Sequence, residues 1–368
     1  MIFKRIVIKL GTSTLTAGTN YLSPPRLVEL VRQMAELHSG GGDVILVTSG
    51  AIAVGRERLD FPQLPKDIPA KQMLAAIGQP RLMAIYEQLF GLYGIMVAQV
   101  LLTRTDLALR RSYLNSRNTL IALLERRVIP IVNENDTVAT EEIRVGDNDN
   151  LSAMVANLIE ADLLVLLTDQ PGLFTADPRQ DPHAVLIAEI DQEQIPDQVW
   201  KAAGGTGKGL GTGGMVTKLQ AAELARRSGA KVVIARGSDP DVIIRIASDE
   251  PLGTRFLPVG SPVEGRKRFL LAGGQTSGLV KIDHGAEGAL KNGGSLLPVG
   301  LIEVVGTFER GDALRIVGPE GREIGRGLSN YASTDLIRII GKRSEEIEKI
   351  LGYAYGDEVI HRSNMVLL

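Results

Sequence analysis

The first 255 or so residues alternate short apolar runs with segments of helical periodicity, and this pattern restricts the fold most. Ile6–Leu10, Val44–Val47, residues 95–102, Val128–Val132, Leu163–Leu167 and Val232–Ala235 read as strands. Between them, Leu27, Leu30, Val31, Met34 and Leu37 fall on one helical face, and helices are expected in 70–93, 115–127, near 149–160 and over Val216–Ser228. Ser23-Pro24 reads as a capped start for the first long helix and Gly40–Gly42 as its stop. Strands that are apolar throughout belong to a sheet buried on both faces, and helices between successive strands make it parallel. The expected class is α/β, an open, mostly parallel sheet sandwiched by helices.

After Gly253 the texture changes. Residues 258–276 are rich in Gly, Pro and basic residues, as in a linker. Beyond them, Leu279–Ile282, Ile302–Val305, Leu314–Val317 and Glu358–His361 are short β-like runs separated by glycines. The expected division is a large α/β domain over 1–257, a linker over 258–276 and a small, mostly-β domain over 277–360.

Composition removes several chemistries. There are no cysteines, which excludes disulfides, thiolate metal sites and cysteine nucleophiles. The four histidines are scattered, so no histidine-built metal site is expected and no residue is assigned to a metal. A formal net charge of -2, and 14 Lys+Arg against 13 Asp+Glu in residues 265–368, offer no field for nucleic acid or an anionic membrane. Met1–Ile8 reads as a strand rather than a leader, and no apolar run approaches ~18 residues, so a cytoplasmic address is expected.

Polar, glycine-bearing segments follow the expected strands, where open α/β sheets place their ligands. They are Lys9-Leu10-Gly11-Thr12-Ser13, Val47-Thr48-Ser49-Gly50-Ala51, Asn133-Glu134-Asn135-Asp136 and Thr168-Asp169, joined by Gly146–Asn150 and Gly209–Lys218. The last is a glycine-rich loop opening a helix, suited to phosphate through its amides and the helix dipole, though a surface loop has the same composition. Residues 209–214 match G-x-G-x-x-G, but no apolar strand precedes them, so the dinucleotide motif is refused. The partial P-loop match at Gly207-Lys208 fails because Gly209 stands where Ser or Thr is needed.

Taken in order, these segments resemble the amino acid kinase family, and within it the members that phosphorylate glutamate; residues 280–312 resemble a PUA domain. The resemblance implies ATP-dependent phosphorylation of the glutamate γ-carboxylate, the first step of proline biosynthesis, with Mg²⁺. It implies Lys9 and Lys218 stabilising the transferred phosphoryl group and Asp149 holding those lysines. Ser49, Gly50, Asp136 and Asn148 would bind glutamate. Lys9, Thr168, Asp169, Thr212, Gly213, Gly214, Met215, Val216, Thr217 and Lys218 would bind ATP. It also implies a homo-oligomer, dimer or tetramer, with proline as feedback inhibitor. Related kinases of acetylglutamate, aspartate or carbamate, and an RNA-binding protein using the C-terminal module, are the competing readings.

Overall fold

The computed structural model describes residues 2–65, 67–139, 148–178, 180–204, 214–260 and 276–368. Two compact units are present: Met1–Leu107 with Arg117–Pro262, and Ala108–Ser116 with Val263–Leu368.

The first unit is built on an eight-stranded sheet. Its strands are β1 (Arg5–Leu10), β2 (Asp43–Thr48), β3 (Val97–Leu102), β4 (Ile129–Glu134), β5 (Leu163–Thr168), β6 (Glu189–Ile190), β7 (Lys231–Arg236) and β8 (Thr254–Phe256). The order is β3-β4-β2-β1-β5-β7-β8-β6, and every pairing is parallel except β7 with β8. The apolar runs are the central strands: Ile6, Ile8, Val44, Leu46, Ile131, Val165 and Leu167 are buried in one core.

The helix Pro24–Ser39 begins after Ser23 as expected, but the Ser23 side chain makes no capping bond; Pro24 at the first turn marks the start instead. The helix Ile68–Gly91 is capped by Asp67, whose Oδ1 accepts from Ala70 N at 2.9 Å. This helix crosses the helix Ala51–Arg58 backbone to backbone. A Cβ on Gly78 would sit 1.8 Å from Ala51 O, and one on Gly55 would sit 1.9 Å from Leu74 O. Only glycine at both positions permits that approach.

The second unit holds a five-stranded sheet of β9 (Gly278–Ile282), β10 (Leu301–Val305), β11 (Ala313–Val317), β12 (Glu323–Leu328) and β13 (Met365–Leu367). The order is β10-β9-β11-β12-β13, with only β9 and β11 parallel. The helix His284–Lys291 packs against it, capped by Asp283 Oδ1 accepting from Ala286 N at 2.7 Å. Val280, Ile282, Leu314, Ile316, Tyr331, Leu336 and Ile339 form its core. The expected strand at Glu358–His361 is absent: Val359 and Ile360 are buried, but Ile360 makes only an isolated bridge to Leu296. Conversely, Glu323–Leu328 is a strand that two glycines concealed.

Candidate active site

The parallel register brings the carboxyl ends of four strands side by side. Lys9 pairs with Val47 of β2 and with Leu166 of β5, and Val47 pairs with Val132 of β4. Lys9, Ser49, Asn133 and Thr168 therefore emerge along one edge of the sheet. Ser49 N–H donates to Leu10 O at 3.0 Å, tying the β1 and β2 ends together. Gly50 follows at φ +103°, a conformation glycine adopts without strain, and starts the helix Ala51–Arg58.

Asp149 is the centre. It is the second residue of the helix Asn148–Leu158 and is 3% exposed. Its Oδ1 lies 2.5 Å from Lys9 Nζ and its Oδ2 3.1 Å from Lys218 Nζ. Thr217 Oγ1 donates to the same Oδ2 at 2.7 Å. Burial works against the Asp149 charge, but the two ammonium groups and the Lys9 and Thr217 hydrogen bonds outweigh it and hold the carboxyl down at about 2. Two cations around one anion leave the cluster net positive, at the start of two helices whose dipoles add to that potential.

Lys218 and Thr217 come from the first turn of the helix Met215–Arg226, which opens at Gly214 with φ +124°. Gly214, Met215, Val216, Thr217 and Lys218 are thus next to the cluster, whereas Thr212 and Gly213 lie outside the described residues. The Gly146–Asp147 part of the 146–150 segment and the refused motif over 209–213 lie outside them too. Thr168 is buried at the end of β5, its Oγ1 donating to Asp169 Oδ1 at 3.0 Å and its carbonyl accepting from Gly237 N at 2.8 Å. Asp169 is exposed.

On the other side of Asp149 the neighbouring Asn148, 6% exposed, reaches back to the strand ends. Its Nδ2 donates within a cluster of acceptors: Thr48 O at 2.6 Å, Ser49 Oγ at 3.0 Å and Asn133 Oδ1 at 2.9 Å. Its Oδ1 is buried with no hydrogen-bond partner among the described residues. Asp136 is half-buried after β4, and burial pushes its carboxyl up to about 6. Asp149 thus gathers two ammonium groups and a hydroxyl, while the neighbouring Asn148 presents a carbonyl oxygen without a partner among the described residues, next to the Ser49 hydroxyl.

Sequence reasoning assigned no role to Asn133, Gln79 or Tyr86. Gln79 Oε1 accepts from Asn133 Nδ2 at 2.7 Å, and Tyr86 OH lies 2.8 Å from Thr48 Oγ1. The signal for Gln79 and Tyr86 was present as polar residues seven apart on an apolar helix. Among the described residues no cluster of three or more His, Asp or Glu is placed to hold a metal, and no helix is long and apolar enough to cross a membrane.

The amino acid kinase family model matches residues 4–236, and the PUA domain model matches residues 278–351. The glutamate 5-kinase of Photobacterium profundum is 57% identical over 364 residues, covering 99% of this chain and 96% of that one. The glutamate 5-kinase of Shewanella amazonensis is 54% identical over 367 residues, covering 100% and 96%. That of Vibrio campbellii is 55% identical over 364 residues, covering 99% and 96%. With a full-length match to such relatives and a family model spanning the strand that carries Lys9 and the helix that carries Asp149, the chain belongs to the amino acid kinase family.

Proposed function

We propose that the chain is an ATP-dependent kinase that phosphorylates the γ-carboxylate of L-glutamate, giving γ-glutamyl 5-phosphate and ADP, the first step of proline biosynthesis. The observation that carries this reading is Asp149 clamped between Lys9 and Lys218 beside Asn148, whose free carbonyl oxygen awaits a donor.

The acceptor carboxyl has an ordinary pKa of roughly 4.3, so it is ionised at neutral pH and needs no general base. One of its oxygens attacks the γ-phosphorus of ATP; the bond to the β–γ bridging oxygen breaks and ADP leaves with that electron pair. The obstacle is repulsion between two anions, and the protein's share of the work is positioning and charge neutralisation. Lys9 and Lys218 supply the charge. Asp149 keeps both ammonium groups aimed at one point without protonating. Gly214–Lys218 and Thr168-Asp169 form the ATP side; Ser49, Gly50, Asp136 and Asn148 form the glutamate side, with Asp136 and Asn148 Oδ1 facing the α-ammonium.

Mg²⁺ enters this reading with ATP, on phosphate oxygens and water, because the Asp149 oxygens are engaged by Lys9, Lys218 and Thr217. The same reading includes a cytoplasmic homo-oligomer, dimer or tetramer, inhibited by proline, with a kinase domain over 1–257, a linker over 258–276 and a PUA domain over 277–360.

The test is ADP release from the purified full chain with ATP, Mg²⁺ and L-glutamate, against N-acetylglutamate, aspartate and carbamate, with and without proline. Turnover of N-acetylglutamate but not glutamate would overturn the choice of acceptor.

A further inference from the structure

The helix Ile68–Gly91 is rich in Leu, Ile, Met and Ala, yet it carries Gln72, Gln79 and Tyr86 at seven-residue spacing. Seven residues fall within about 20° of two full turns, so the three lie on one face. Each ends on a different segment of the glutamate side of the cleft. Gln72 Nε2 donates to Ala139 O at 3.2 Å, three residues after Asp136. Gln79 Oε1 accepts from Asn133 Nδ2 at 2.7 Å, and its Nε2 donates to Gln99 Oε1 at 3.3 Å. Tyr86, fully buried, meets Thr48 Oγ1 at 2.8 Å, and the Thr48 carbonyl accepts from Asn148.

The middle contact decides the most. Asn133 is 1% exposed and Gln79 9%. Gln79 Oε1 is the one acceptor found for Asn133 Nδ2 among the described residues. With that end committed, Asn133 Oδ1 points the other way, where it accepts from Glu134 N at 2.9 Å and from Asn148 Nδ2 at 2.9 Å. Asn148 in turn has its nitrogen committed and its Oδ1 left buried, without a partner among the described residues. Each amide sets the orientation of the next. A half-turn of the Asn133 amide would set donor against donor at Asn148 and leave buried polar groups without partners, so the chain of amides holds one direction.

We propose that Gln79 is a positioning residue for the acceptor substrate: through Asn133 it holds Asn148 with its free carbonyl oxygen toward the glutamate ammonium. This rests on the reading of the cleft as a glutamate site. It predicts a selective effect, because the Asp149 contacts to Lys9, Lys218 and Thr217 involve no atom of Gln79.

The experiment is steady-state kinetics of the full chain with glutamate and ATP varied separately, alongside thermal melting. Turnover of glutamate by the unmodified chain is measured first, and its absence would overturn both the function and this inference. With turnover present, Gln79→Met, which keeps the volume and removes the acceptor, should raise the glutamate KM about 10-fold, with kcat and ATP KM within about twofold. Gln79→Glu, which keeps an oxygen in the Oε1 place, should stay within about threefold of the unmodified glutamate KM. Should Gln79→Met fail to fold, Gln79→Asn withdraws the acceptor by one methylene and is read the same way. An unchanged glutamate KM, or an ATP KM rising in step with it, would make Gln79 a structural residue and overturn the proposal while leaving the function intact.

Discussion

Lys9 Nζ and Asp149 Oδ1 lie 2.5 Å apart, both side chains about 95% buried, joining the end of β1 to the start of the helix Asn148–Leu158. An ion pair this enclosed is valuable through its geometry more than its net energy, because desolvation consumes much of the Coulombic gain. Removing one partner is another matter, since it strands the other charge.

Asp149→Ala should therefore cost about 3–5 kcal/mol of stability, because it leaves Lys9 and Lys218 facing each other without their counter-ion. Chemical denaturation measures this. The pH dependence has a definite sign. The Asp149 carboxyl lies at about 2, below its ordinary 3.8, so its contribution is present above pH 3.8 and is lost as pH falls toward 2. The variant should lose that acid limb of the unmodified stability curve.

Lys9→Ala and Lys218→Ala should each lower kcat by about 10²–10³, with glutamate KM changed far less, because their contacts strengthen as charge shifts onto the transferring group. Near-normal kcat in both would remove them from the chemistry.

Asp136 should make glutamate binding pH-dependent. Burial raises its carboxyl to about 6, and only the ionised form attracts an ammonium. Glutamate KM should rise as pH falls through about 6, and the Asp136→Asn variant should show a high KM without that inflection. The stability sign is opposite to that of Asp149. A raised acid pKa destabilises the fold as pH climbs from 3.8 to about 6, so Asp136→Asn should be the more stable protein at neutral pH by about 1–3 kcal/mol. A variant that melts higher and binds glutamate worse is the combined result expected.

Much of this was legible in the residues, for reasons that differ by element. β1, β2, β4, β5 and β7 each have an apolar centre because both faces are covered, and such runs declare themselves. The polar segments after them marked the cleft. β8 runs antiparallel and is only three residues long, too short to carry a pattern. Glu323–Leu328 has glycine at positions 325 and 327, where the neighbouring strand β13 approaches too closely for a Cβ, so packing overrode composition. Val359 and Ile360 plug a core without joining a ladder, which local sequence does not distinguish from a strand. Asn133 was visible as part of a motif, but its partner Gln79 lies 54 residues earlier, and only the fold brings them together.

Gly78→Ala should be among the most damaging single-methyl additions to the chain, because the added carbon would meet Ala51 O at 1.8 Å and force the two helices apart. A fall in melting temperature accompanied by a higher glutamate KM is expected, since the helix Ala51–Arg58 begins one residue after Gly50.

The same backbone contact governs how pieces of this enzyme can be exchanged. Two helices that touch main chain to main chain at Gly55 and Gly78 have no side chains between them to absorb a misfit. In recombining this chain with a relative, segments 51–58 and 68–91 therefore form a single cassette. A hybrid that splits them between parents inherits a mismatch at the strand ends even if every cleft residue is retained.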